Sequence, residues 1–234
     1  MRTFFLLFFY VVLIILLIPL LLFCCVLKSA RPIIFMGKWA MCVSQKILGI
    51  RVEVTGAEKI AKEKPYVFMS NHLSFIDGPL LFLVIPQLIR VILKKEVFRI
   101  PFVGLGMKLV GFIPVDRKSI RGGKQSIDRA AHLIEEKGFS FLIFPEGTRS
   151  LDGRLQLFKR GGFFIAIDSQ VPIVPITIKG TYELMPKGSF FAKKGTVKVV
   201  FHPPVPVQGF DRDSLPGLLD RVRSSIQSEL ISKE

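Results

Sequence analysis

The stretch Asn71-His72-Leu73-Ser74-Phe75-Ile76-Asp77-Gly78 lies between two apolar runs of different character. Before it, Tyr66-Val67-Phe68-Met69 reads as a short buried strand. After it, Pro79-Leu80-Leu81-Phe82-Leu83-Val84 reads as an apolar helix with proline in its first turn. A histidine and an aspartate five residues apart, on a turn leaving a strand, can fold back to face each other. In that geometry the imidazole takes a proton from a hydroxyl, while the carboxylate orients the ring and stabilises the imidazolium. The same residues admit a structural reading, in which Asp77 caps the helix from just outside it. The rest of the chain has to choose between them.

Outward from this turn, short apolar strands alternate with helices. Strand-like segments fall at 51–55, 66–70, 88–93, 111–117, 139–144, 171–178 and 196–201. Helices are expected at 79–84, 98–110, 122–137, 160–169 and 215–231, with Gly138 stopping the third and Ser214 capping the last. Such alternation predicts an α/β fold, a mixed sheet flanked by helices.

Residues 4–27 carry no charged side chain. As a helix they measure ~36 Å, enough for the ~30 Å hydrocarbon core of a bilayer. Arg2 alone precedes the run and no small-residue cleavage site follows, which argues against a cleaved signal peptide. Pro19 breaks or kinks the helix. The segment therefore either spans the bilayer or enters one leaflet and returns, and both remain open. Residues 32–48 make a second, shorter helix with Trp39 on its apolar face. It suits the membrane interface and packing on a globular domain equally. Lys28, Arg31, Lys38 and Lys46 follow the first run, and the positive-inside rule then puts the remaining chain on the cytoplasmic face. The expected organisation is a membrane anchor of one or two hydrophobic helices over residues 1–50, followed by an α/β domain over residues 51–234.

The chain holds 33 Lys and Arg against 18 acidic residues, a net charge of +15, and its mean hydropathy is +0.48. So basic a chain points to anionic partners. Nucleic acid is disfavoured, because zinc-finger spacing, basic-region heptads and aromatic RNA-binding motifs are all missing. An anionic membrane surface explains the charge and the apolar N-terminus together. Cys24, Cys25 and Cys42 have neither disulfide-framework nor metal-ligand spacing, so no metal is expected.

A second turn carries chemistry. After the strand at 139–144 comes Pro145-Glu146-Gly147-Thr148-Arg149-Ser150. Gly147 lets the backbone approach a ligand, Thr148 and backbone N–H groups can donate to phosphate oxygens, and Arg149 can grip phosphate bidentately. With the first turn in the same chain, the sequence resembles the glycerolipid acyltransferase family typified by 1-acyl-sn-glycerol-3-phosphate acyltransferase. Four blocks carry the resemblance, in order: Asn71-His72-x4-Asp77, Gly111-Phe112-Ile113-Pro114-Val115-Asp116-Arg117, Phe144 through Ser150, and Val171-Pro172-Ile173-Val174-Pro175.

The resemblance implies that His72 deprotonates the free hydroxyl of lysophosphatidate, which attacks an acyl thioester to give phosphatidate. Asp77 then holds His72 in its productive tautomer. Arg117, Glu146, Gly147, Thr148 and Arg149 fall in the family's acceptor region, with Lys94 adding charge there. The donor is acyl-CoA or acyl carrier protein, and no cofactor is implied. The proline block at 171–175 shapes the pocket. Ser74 reads as a helix cap, since the Gly-x-Ser-x-Gly elbow of a hydrolase is missing. His132 and His202 read as structural or exposed. Two rivals remain open: the same chemistry on glycerol 3-phosphate or another lysolipid, and a non-catalytic basic protein that binds membrane lipid.

Overall fold

The computed structural model describes residues 2–27, 29–116 and 119–231. The N-terminal apolar run forms one helix, α1 (Arg2–Val26), with Pro19 inside it. It is the one described helix long and apolar enough to cross a membrane. Next come α2 (Arg31–Leu48), β1 (Ile50–Thr55), β2 (Val67–Ser70), α3 (Asp77–Val84), β3 (Ile89–Lys94), α4 (Val103–Leu109) and β4 (Ile113–Val115). The chain continues with α5 (Ile120–Lys137), β5 (Ser140–Ile143), α6 (Gly161–Asp168), β6 (Ile173–Lys179), α7 (Thr181–Leu184), β7 (Gly195–Phe201) and α8 (Leu215–Ile231).

The strands join one mixed sheet in the order β1-β7-β6-β2-β5-β3-β4. From β6 to β4 neighbouring strands are parallel, whereas β7 runs antiparallel to β6 and parallel to β1. Parallel central strands must be covered on both faces, so their side chains are apolar in both directions. Phe68 of β2 joins a core shared with Leu48 of α2 and Leu80, Leu81 and Phe82 of α3. Its neighbours Val67 and Met69 point the other way, into a core with Ala130 of α5, Phe163 of α6 and Val222 of α8. The expected mixed sheet flanked by helices is what forms.

The two N-terminal helices run antiparallel along this body. Arg2 Nη1 donates to the Leu48 carbonyl (3.2 Å) and Ser44 Oγ to the Tyr10 hydroxyl (3.0 Å). Further along α1, Leu21 packs on Gly106 of α4. At the other end of α1 the Phe4 ring lies 6.0 Å from that of Phe191, so α1 touches the α/β body near both ends. α2 turns Ile34, Ala40, Ser44 and Leu48 inward, the packed arrangement its sequence allowed, and leaves Phe35 and Trp39 exposed.

Some local expectations shift. The segment at 98–110 divides into a 3-10 turn (Lys95–Arg99) and α4, and the single turn α7 had no periodic signal. The Ser214 hydroxyl, expected to cap α8, instead donates to Asp211 Oδ1 (2.7 Å) and accepts from the Asp211 N–H (2.8 Å). An Asx-type turn has captured the hydroxyl that a cap would use.

Gly56, which ends β1, has φ +80, and a Cβ there would overlap the Phe201 carbonyl oxygen on β7. Gly56→Ala combines left-handed strain with that overlap and should destabilise the fold by ~1–3 kcal/mol. Thermal or denaturant unfolding of the detergent-solubilised protein measures this; an unchanged midpoint contradicts the assigned packing of β1 on β7.

Candidate active site

Loops at the carboxyl ends of parallel strands face a common edge, where α/β sheets place ligands. Four such ends lie side by side in the order β2, β5, β3, β4. They carry in turn the His72 turn, the 144–150 turn, Lys94 and the segment after Val115. His72, Asp77, the 144–150 turn and Lys94 thus leave neighbouring strands at one edge, although they span much of the chain.

At the end of β2, Asp77 Oδ2 lies 2.8 Å from His72 Nδ1 and accepts from the backbone N–H of Leu73 and of Ser74 at 2.7 Å each. Asp77 is fully buried, and the His72 side chain keeps 18% of its surface open. Since a carboxylate offers only acceptors, the proton between the two groups belongs on Nδ1. Nε2 is left with a lone pair, the state a general base requires. Phe144 stacks on the imidazole, with centroids 3.9 Å apart and planes 17° from parallel, and so fixes the ring from its face.

Asn71 locks this turn to the sheet. Its Nδ2 donates to the Ile178 carbonyl (2.9 Å) and its Oδ1 accepts from the Ile178 N–H (2.8 Å), a two-point clamp on β6. Asp77 does not cap α3 from outside, since it is the first residue of that helix and bonds to groups before it. Ser74 does not cap α3 either, because it lies two residues before the cap position; its buried hydroxyl accepts from the Ile76 N–H within the turn at 3.4 Å and donates to the Met185 carbonyl at 2.6 Å. That bond ties the turn to the 185–194 loop and occupies the hydroxyl's proton.

The 144–150 turn is sewn to the His72 turn. The Ser150 N–H donates to the His72 carbonyl (2.8 Å), and Glu146 Oε1 accepts from the His72 N–H (2.7 Å). Glu146 Oε2 accepts from the Gln156 N–H (3.0 Å). Grouped by resemblance with acceptor-binding residues, Glu146 turns its carboxylate inward onto backbone donors. Burial raises its pKa against the opposing pull of those bonds. Gly147 has φ +72, with the Lys159 side chain packed over it, while Thr148 is exposed and Arg149 half-buried.

Lys187 is a cation that the motifs did not single out. Its Nζ donates to Thr148 Oγ1 (3.1 Å) and to the Arg149 carbonyl (3.2 Å), adding positive charge to the turn from 38 residues away. Lys94 is exposed at the end of β3, level with Val115 of β4. Arg117 lies outside the described residues. His132 sits exposed on α5 beside Glu136, and His202 Nε2 meets Thr177 Oγ1 at 2.8 Å, so neither joins the site.

Beside the turns opens an apolar cavity of about 650 Å³. Its wall includes Leu6 and Tyr10 of α1, Met41 of α2, Leu80 of α3, Met185 and Phe191. Among the described residues Arg149 is the one charged side chain on that wall. An imidazole nitrogen with a free lone pair and a turn carrying Arg149 leave adjacent strands, and the apolar chamber opens at Arg149.

Residues 51–179, more than half of the chain, match the family model described as Acyltransferase. The chain belongs to the acyltransferase family. Among curated relatives of this acyltransferase is the chloroplastic 1-acyl-sn-glycerol-3-phosphate acyltransferase BAT2 of Brassica napus, 40% identical over 66% of this chain and 45% of that protein. Another is the human 1-acyl-sn-glycerol-3-phosphate acyltransferase alpha, 37% identical over 77% of this chain and 64% of that protein. The matched region thus spans about half to two thirds of these relatives' length. Among solved structures, the 1-acyl-sn-glycerophosphate (LPA) acyltransferase PlsC of Thermotoga maritima superposes with a TM-score of 0.82 at 27% identity, covering 100% of this chain and 96% of that one.

Removing the Asn71 amide strands the buried N–H and C=O of Ile178. Each buried group left without a partner costs ~1–3 kcal/mol, so Asn71→Ala should lose ~2–5 kcal/mol of stability. Denaturant titration measures it, and a loss below ~1 kcal/mol would contradict the clamp's role.

Proposed function

We propose that this acyltransferase moves a fatty acyl group from an acyl thioester to the free hydroxyl of lysophosphatidate, giving phosphatidate. His72 Nε2 removes the hydroxyl proton as the oxygen attacks the thioester carbonyl. A C–O bond forms, the C–S bond breaks, and the imidazolium returns the proton to the departing sulfur. Asp77 keeps Nδ1 protonated and stabilises the imidazolium formed in between. A thioester is already activated, so the protein's own part is to position the reactants and move one proton. The donor is acyl-CoA or an acyl-carrying protein.

The observation that carries the reading is the His72 Nδ1 bond to Asp77 beside a turn that presents Arg149. In this reading the phosphate sits on Gly147, Thr148 and Arg149, with Lys187, Lys94 and Arg117 supplying further positive charge. Glu146 acts as a positioning residue, holding the two turns in register. The apolar cavity that begins at Arg149 favours an acceptor bearing an acyl chain over glycerol 3-phosphate. Ser74 serves the turn's structure, not a hydrolytic acyl-enzyme.

The same reading places the protein at a membrane, with the α/β domain on the cytoplasmic face. Phe4 meets Phe191 and Leu21 packs on Gly106, so α1 touches that domain near both ends, which supports insertion of the α1–α2 pair into one leaflet instead of a full crossing. Basic residues add ~1 kcal/mol each of attraction to an anionic surface. Lipid acceptor then arrives laterally without passing through water.

Purified protein offered one acyl thioester and a panel of acceptors tests the assignment. Lysophosphatidate should be the preferred acceptor, and preference for glycerol 3-phosphate or another lysolipid would overturn it. Charge-assisted hydrogen bonds contribute ~1.5–3 kcal/mol. Arg149→Ala should therefore raise the KM for lysophosphatidate by ~10–100-fold with a smaller change in kcat.

A further inference from the structure

The segment between α7 and β7 reads Lys187-Gly188-Ser189-Phe190-Phe191-Ala192-Lys193-Lys194. Two adjacent phenylalanines between lysines are costly to hold in water, yet Phe190 is 81% exposed and Phe191 58% exposed. The segment is nevertheless pinned at both feet. The Lys193 N–H donates to the Leu184 carbonyl (2.9 Å), the Gly195 N–H to the Gly49 carbonyl (3.3 Å), and Lys187 reaches the 148–149 turn. At the tip, Ser189 Oγ donates to the Phe191 carbonyl (2.9 Å) and accepts from its N–H (3.2 Å). It is a short, braced strap with an apolar tip.

The tip continues the apolar surface of α1. The rings of Phe191 and Phe4 lie 6.0 Å apart, and Phe4, Phe5 and Phe8 are themselves exposed. Arg2 and Lys194 both abut Gly49, which sets cations beside the aromatic cluster. Aromatic rings flanked by long cationic side chains match the layering of a membrane interface, rings in the acyl region and charges among phosphates. From within, Gly188 through Ala192 line the same cavity as Phe4, Leu6 and Leu7.

We propose that the 187–194 strap inserts into the bilayer alongside α1, with Phe190 and Phe191 in the acyl-chain layer. The cavity is then walled on two sides by bilayer-embedded residues, and an acyl chain reaches it from the lipid phase. This rests on the membrane placement proposed above.

The native chain has one tryptophan, Trp39, exposed on α2. Full-length protein carrying Trp39→Phe with Phe190→Trp is reconstituted into anionic vesicles whose lipids are brominated along the acyl chain. The expected result is emission at shorter wavelength than in detergent-free water-exposed tryptophan, with strong quenching by the bromines. Water-like, unquenched emission from position 190, in vesicles where native Trp39 is quenched, overturns the strap while leaving membrane placement intact. A shift to shorter wavelength without quenching also overturns it, since the ring is then covered by protein. Failure of native Trp39 to be quenched refutes membrane placement and the strap together. The readout is independent of acyl transfer, so it separates this inference from the assigned reaction.

Discussion

One carboxylate oxygen organises the turn that follows β2. Asp77 Oδ2 gathers His72 Nδ1 and the N–H groups of Leu73 and Ser74, all within 2.8 Å. Burying a charge is costly unless it is paired or hydrogen-bonded. Here the compensating donors come from the very turn that carries His72. The bonds that make the buried aspartate tolerable therefore also fix the loop path and the histidine tautomer. A single interaction serves folding and the proposed chemistry, which is why the turn needs so few residues.

The remaining site is built outward from that point by the same device, side chains spent on backbone groups. Asn71 clamps the turn to β6, Glu146 ties it to the 144–150 turn and to Gln156, and Ser74 joins it to Met185. These side chains are spent on the protein's own backbone. Thr148 and Lys187 bond to each other beside Arg149, which stands on the wall of the apolar chamber. In the proposed function these residues meet the phosphate, while the buried polar groups hold the turns in place. The seven-stranded sheet makes this possible by bringing the ends of β2, β5, β3 and β4 to one edge.

Much of this was legible in the sequence, for identifiable reasons. Buried parallel strands read as apolar runs. The pairing of His72 with Asp77 was legible as one of two readings of a turn, and the structure brings the two side chains together. Glu146 was grouped with acceptor residues by resemblance, and its inward direction was not legible, because sequence names a carboxylate without saying which donors it faces. Lys187 was invisible, since the fold brings it to Thr148 across 39 positions and no periodicity marks it. Ser74 and Ser214 were both read as caps, yet Ser74 lies two residues before the cap position of α3 and the Ser214 oxygen accepts from the Asp211 N–H. The path of α1 was equally hidden: composition gave a span-length helix, and the contacts of Phe4 with Phe191 and of Leu21 with Gly106 lay it along the domain.

The most direct test is turnover of His72→Ala with saturating acyl thioester and lysophosphatidate, measured beside lysophosphatidate binding in the same bilayer preparation. A positioned general base contributes ~10²–10⁴ in rate, so turnover should fall by that factor while binding is kept. Turnover within a few-fold of the unsubstituted protein would contradict the assignment of His72 as the base.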